Sequence, residues 1–190
     1  MSSNKSNIKT TNWVISALFL ALALVLPLLT GQMQELGNKL LPMHIPVLLC
    51  GFICGPVYGG IVGFVSPLLR FILFGMPPIL PIGLSMSIEL ACYGVFSGLI
   101  YNHLPKKKSS IYISLILSMI IGRVVWGMSN LIIYGFENSE FGLQAFIAGA
   151  FLNSILGIII QIVLIPLIVV RIEAIICSHT WFFLDSKPFY

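Results

Sequence analysis

The side chains best able to bind a solute or take part in chemistry are three charged residues inside otherwise apolar segments: Arg70, Glu89 and Arg123. A charge at the centre of a bilayer costs about 2.5–3.5 kcal/mol or more unless it is paired or reaches water. Such side chains therefore usually face the interior of a helix bundle or a cavity. In that setting, guanidinium and carboxylate groups can join helices as an ion pair, or they can bind a polar solute.

The composition is that of an integral membrane protein. Of the 190 residues, 58% are hydrophobic and only 8% are charged, whereas soluble domains carry about 25% charged residues. The net charge of +4 includes a cluster at Lys106–Lys108, which is typical of a cytoplasmic loop and not of nucleic-acid binding. The sequence contains no GxxxxGK[ST], HExxH, GxSxG or CxxC motif. We therefore predict no metal, no cofactor and no catalytic residue.

The chain divides into six apolar stretches. About 20 apolar residues are needed to cross a bilayer, and Gly55-Pro56 is a natural break in a stretch that is too long for one helix. The predicted helices are 12–30, 43–54, 57–74, 80–101, 110–134 and 143–171. We predict an all-α integral membrane protein, a six-transmembrane-helix bundle occupying 12–171 with a short helix 2.

The topology follows from the basic residues. With six spans, the N-terminal segment 1–11, the Lys106–Lys108 loop and the tail 172–190 lie on one side of the membrane. The positive-inside rule makes that side cytoplasmic, so that both termini are cytoplasmic. The second helix spans only about 18 Å at 1.5 Å per residue. A re-entrant second segment is the alternative. The number of spans would then be odd, and the two termini would lie on opposite sides of the membrane.

In this topology Glu89 and Arg123 lie at similar depths. Glu89 is about 12 Å below the outer end of helix 4, and Arg123 is about 16 Å below the outer end of helix 5. Two interpretations remain open at this point. The pair is either a structural salt bridge between the helices or a part of a ligand-binding site.

Helix 5 carries a polar and aromatic stripe. Arg123, Trp126, Asn130 and Tyr134 follow the spacing i, i+3, i+7, i+11, which puts them on one helical face. Aromatic rings that stack and polar groups that fix orientation suit an organic ligand. A helix–helix seam is the alternative role for the same face.

Three further residues extend the candidate site. Tyr93 follows Glu89 at four-residue spacing, and Asn153 on helix 6 can hydrogen-bond either to a neighbouring helix or to a ligand. Arg70 lies near the outer end of helix 3. Its side chain either snorkels to the external interface or meets an anionic group of a solute.

Helix 1 has a different character, because Ala17 and Ala21 form a small-xxx-small pair. Such pairs allow another helix to pack closely. Together with a candidate site elsewhere on the bundle, this pair predicts a docking face for a partner.

Several segments resemble one known family. They are the Ala17–Ala21 pair, residues 41–56 (LPMHIPVLLCGFICGP), residues 59–70 (GGIVGFVSPLLR) and residues 74–78 (FGMPP). Over about residues 12–170 the chain is similar to the substrate-binding S components of energy-coupling factor (ECF) vitamin transporters.

The resemblance implies a function. An S component binds a vitamin or precursor from outside and delivers it inward with a T subunit and two ATPase subunits, in the bacterial plasma membrane. By this analogy Ala17 and Ala21 face the T subunit, and Glu89, Arg123, Trp126, Asn130 and Asn153 lie in or near the pocket. The arginines suit a carboxylate, so pantothenate is slightly favoured over a pyridoxine-like ligand.

Two other classes of function stay open from the sequence. One is an intramembrane enzyme that uses Glu89 and Arg123, which no nucleophile or metal motif supports. The other is a membrane scaffold in which the polar residues have only a structural role.

Overall fold

The computed structural model describes residues 2–29, 40–105, 107–136 and 154–185. All regular secondary structure in these ranges is helical. The helices are α1 (Ser2–Leu29), α2 (His44–Cys54), α3 (Pro56–Phe74), α4 (Leu84–His103), α5 (Lys108–Phe136) and α6 (Ile155–Asp185).

Five of these helices contain a segment long and apolar enough to cross a membrane. The segments are Thr10–Leu28, Pro56–Phe74, Leu84–His103, Lys108–Tyr134 and Ile155–Ile172. The remaining helix, α2, is apolar but has only 11 residues. The expectation of six helices with a short second one is therefore confirmed.

The short helix α2 lies in the core of the bundle. It contacts α1, α3, α4 and α6, and nine of its residues are buried. A helix that is apolar around its whole circumference belongs in a protein interior, where lipid does not reach it. Because neighbouring helices surround α2, it does not need the length of a lipid-exposed span.

Glycines permit the closest approach within the bundle. We define the glycine seam as Gly51 on α2, Gly59 on α3, and Gly94 and Gly98 on α4. A Cβ added to Gly94 would overlap the Gly59 carbonyl, and one added to Gly98 would lie 2.5 Å from the Gly51 carbonyl oxygen. Small residues are the usual means by which helix backbones meet in membranes, so this seam joins three helices through α4.

The break between α2 and α3 is where the sequence predicts it. Gly55 has φ +99°, and Pro56 is the first residue of α3. Glycine tolerates positive φ, and proline lacks an N–H that the first helical turn would leave unsatisfied.

Other helix ends differ from expectation. The last helix continues past the expected end at residue 171 to Asp185, because no glycine or proline occurs between 172 and 185 to stop it. Likewise, α1 begins at Ser2 and not near residue 12. The N-terminus of α4 shifts in the opposite direction, to Leu84, because a separate π-helical turn with extended Leu80 occupies Ile79–Gly83.

Candidate functional site

Four buried side chains from three helices meet around one carboxylate oxygen. We call them the Glu89 cluster: His44 on α2, Glu89 and Tyr93 on α4, and Arg123 on α5. The Glu89 Oε1 atom accepts from Arg123 Nη1 at 3.0 Å and from the Tyr93 hydroxyl at 3.0 Å. The four-residue spacing of Glu89 and Tyr93 puts both on one face of α4, directed at its neighbours.

The Glu89 cluster is closed to solvent. Glu89 is 2% exposed and Arg123 is 6% exposed. A charge pair at this burial must gain enough from mutual attraction and hydrogen bonds to offset desolvation, and two donors on one oxygen contribute to that. In this structure the two residues form an ion pair that joins α4 to α5.

The Tyr93 ring fits because α5 has a glycine opposite to it. A Cβ on Gly122 would collide with the ring of Tyr93. The phenol is therefore held between α4 and α5, with its hydroxyl on Glu89. This contact adds packing to the ion pair at the same level of the bundle.

His44 is the member of the cluster that sequence reasoning left out. Its side chain is buried, and its Nε2 lies 3.7 Å from Glu89 Oε1. Neither ring nitrogen has a hydrogen-bond partner within the described ranges. The available signal was its position at the start of a helix that is otherwise apolar, where a histidine has no lipid-facing role.

The stripe on α5 faces the bundle, as its spacing predicts. Arg123 and Asn130 are buried, and Trp126 and Tyr134 are half-buried. On the opposite face, Met128 is 59% exposed. The Asn130 Nδ2 donates to the Trp126 carbonyl at 2.9 Å, which fixes the orientation of the amide. The α5 stripe therefore presents its polar groups inward.

Arg70 is buried near the C-terminal end of α3. The residue is 8% exposed, and its Nε has no hydrogen-bond acceptor among the described residues. This burial does not match a side chain that extends to the external interface. The depth of Arg70 follows from the register between α3 and α4. Gly59 packs on Gly94 and Gly63 packs on Leu90, so each step along α3 is matched by a step back along α4. Continued to Arg70, this register puts it level with Gly83.

Asn153 lies outside the described residues, so its predicted role has no structural account. Farther along α6, Gln161 is 1% exposed, and its Nε2 has no partner in the described parts of the chain. Gly157 is buried on the same helix. This part of α6 faces the bundle.

The docking pair predicted on α1 is exposed. Ala17 and Ala21 lie on the outer face of the helix, and Ala17 borders an apolar groove of about 200 Å³ between α1 and α3. Trp13 and Tyr58, in edge-to-face contact at 5.2 Å between ring centroids, also line the groove. A small-residue face next to a groove suits a packed helix.

A second groove, of about 150 Å³, lies between α5 and α6. Arg123 borders it, and its other lining residues are apolar, among them Met119 and Ile162. These neighbours offer no counter-charge to the guanidinium. The described acidic partner of Arg123 is Glu89, at 3.0 Å.

Comparison with known proteins identifies the family. Residues 12–169 match the model of the family described as ECF transporter, substrate-specific component. No curated protein and no solved structure matches the chain. The match covers most of the chain and agrees with the apolar helical bundle. It makes the protein a subunit of a membrane transporter and not itself an enzyme. The chain belongs to the substrate-specific S components of ECF transporters.

Proposed function

We propose that this subunit captures a vitamin or a cofactor precursor outside the bacterial plasma membrane. Delivery of the solute to the cytoplasm then requires an ECF T subunit and two ATPase subunits. The observation that carries the proposal is the set of polar side chains that face inward in the outer part of a bundle belonging to the S-component family. The chain has no phosphate-binding loop of its own, so the energy must come from partner subunits.

The depth of α2 supports a site at the outer end of the bundle. His44, its first residue, is level with Glu89, which is about 7 Å along α4 from Leu84 at 1.5 Å per residue. The helical core of α2 thus stops short of the outer end of α4. We propose that the solute binds above the Glu89 cluster, next to the α5 stripe, with Arg70 also in reach. Asn153 is proposed as a further ligand-binding residue from the sequence alone.

Within this site the residues have different roles. Trp126 and Tyr134 supply aromatic surface for a ring or an alkyl chain, and Asn130 supplies a fixed amide. The Glu89–Arg123 pair and Tyr93 lie beneath the site and hold α4 to α5. This division suits a solute of mixed polarity, and pantothenate remains slightly ahead of a pyridoxine-like ring.

The test is a vitamin panel against the detergent-purified protein. Saturable binding of one member, and recovery of the same compound by mass spectrometry from protein purified without added ligand, is the expected result. The buried ion pair on its own also suits a membrane scaffold. Absence of any saturable binding and of any co-purified solute would overturn the proposed function in favour of that role.

The exposed small-residue face of α1 gives a separate prediction for assembly. Ala17→Trp is expected to leave solute binding unchanged, because Ala17 is on the outside of the bundle. Solute uptake should fall by about 10-fold or more, the loss that an overpacking cost of about 1–3 kcal/mol at a docking interface produces. Binding to purified protein and uptake by cells that express the T subunit and ATPases measure the two effects.

Leu22→Trp is the matched control on the same helix. Leu22 is 39% exposed, but it lies about 140° around the helix from Ala17 at 100° per residue. The control should retain uptake. Normal uptake by Ala17→Trp, or equal loss in both variants, would place the docking face elsewhere.

A further inference from the structure

Among the residues that the structure describes, the buried charges of the helices do not balance. The described membrane helices bury two guanidinium groups, Arg70 and Arg123, and one carboxylate, Glu89. Glu89 pairs with Arg123 at 3.0 Å. From this geometry we propose that the counter-ion of Arg70 is the acidic group of the substrate, a carboxylate or phosphate. This inference rests on the proposed function and deepens it.

The pairing of Arg123 shifts the anion site away from that residue. Sequence reasoning alone treats both arginines as candidates for a carboxylate. A second anion next to Arg123 would also lie next to Glu89, and like charges disfavour each other strongly in a medium of low dielectric constant. No carboxylate of the described residues is paired with Arg70, whose level on α4, near Gly83, is about 9 Å above Glu89 at 1.5 Å per residue.

Burial without a partner is the second observation. Arg70 is only 8% exposed to solvent. Its Nε has no hydrogen-bond acceptor in the described ranges. Removing an ionised side chain from water is costly unless it is paired and hydrogen-bonded. A ligand that brings an oxyanion supplies both the charge and the acceptors, in the fork geometry that a guanidinium prefers.

The position of Arg70 also fits a substrate that spans from α3 to α5. The Glu89–Arg123 pair sets the register between α4 and α5. Seven residues farther along α5, Asn130 is level with about Ile82 in the turn before α4. Arg70 is level with Gly83, one residue away. The turn Ile79–Gly83 contacts α3, α4 and α5 at this depth. If the acidic group of the substrate binds Arg70, the rest of the substrate can extend toward Asn130 and Trp126. A phospholipid phosphate offers the same chemistry, so the experiment must separate the two sources.

The experiment combines Arg70→Gln with Arg123→Gln as the matched control. Unfolding temperatures are measured without ligand in a maltoside detergent, which has no phosphate, and again in phosphatidylcholine nanodiscs. Binding is measured for pairs of acid and neutral probes: pantothenate with pantothenyl alcohol, and nicotinate with nicotinamide. Biotin and pyridoxine complete the panel.

Each variant has its own expected result. Arg70→Gln should unfold at the same temperature as the wild type or higher in both media, because it removes a charge that no described residue pairs. It should bind the acidic probe about 10- to 100-fold more weakly, the loss expected for a charge-assisted hydrogen bond, and should no longer prefer acid to neutral analogue. Arg123→Gln should unfold at a lower temperature.

Five outcomes contradict the inference in different ways. If Arg70→Gln still prefers the acid to its neutral analogue, Arg70 is not in the site. The same holds if wild type and variant bind a neutral vitamin equally. In both cases the proposed function stands. Destabilisation of Arg70→Gln in detergent assigns Arg70 to a carboxylate of the chain itself. Destabilisation only in nanodiscs assigns it to lipid phosphate. A wild type that binds no probe and carries no co-purified solute overturns the proposed function, and the inference with it.

Discussion

Arg123→Gln is expected to lower the free energy of unfolding by about 3–5 kcal/mol, the cost of leaving one member of a buried ion pair without its partner. Glu89 is 2% exposed, and its remaining partners among the described residues would be the Tyr93 hydroxyl and the more distant His44. Tryptophan fluorescence during thermal or denaturant unfolding in detergent measures the effect. A loss of this size is a large fraction of the total stability of about 5–15 kcal/mol that is typical of native proteins.

The double variant Glu89→Gln with Arg123→Gln is the control for this effect. It removes both charges and keeps two side chains that can hydrogen-bond, so it should recover much of the stability that Arg123→Gln loses. The difference between the double variant and the sum of the single variants gives the coupling energy. A single Arg123→Gln variant as stable as the wild type would show that the pair contributes nothing to the bundle.

Gly59→Ala is expected to destabilise the bundle by about 1–3 kcal/mol through overpacking. The added Cβ would lie 2.6 Å from the carbonyl oxygen of Gly94, and the backbone of α4 cannot move away without opening the glycine seam. This cost opposes the gain of about 1 kcal/mol that alanine has over glycine in a helix. Unfolding temperature and the folded fraction on gel filtration measure the result.

Gly60→Ala is a control from the adjacent residue. Its Cβ would also meet an atom at 2.6 Å, but that atom is Cγ2 of the Val95 side chain. A side chain can change its rotamer or shift slightly where a backbone carbonyl cannot. The two substitutions share the same gain in helix propensity, so Gly60→Ala should stay within about 1 kcal/mol of the wild type. Equal effects of both substitutions would mean that the seam is not tightly packed.

The sequence predicted the architecture well where a local chemical signal was present. The break at Gly55-Pro56 was predictable because both residues disfavour helix continuation, and the comparable depths of Glu89 and Arg123 followed from helix rise alone. The depths did not distinguish an ion pair from two ligand-binding groups. That choice depends on side-chain distances, which no periodicity contains.

Other features depended on tertiary structure. His44 had no partner in its own segment, and its place near Glu89 follows from α2 lying next to α4. The glycine seam had a signal in the GxxxG spacings of α3 and α4, but which glycines meet depends on helix register. The extension of α6 to Asp185 was missed because hydropathy marks where a helix leaves the apolar region, not where the helix itself stops.

The short core helix has a consequence for how the protein enters the membrane. The 11 residues of α2 are about half the length that a translocon recognises as an independent span. We expect α2 to be inserted together with α3 as a hairpin around Gly55, and to reach its final depth only after α4 arrives. Ribosome-bound chains that end before α4 should therefore leave α2 accessible to water-soluble cysteine reagents at Cys50.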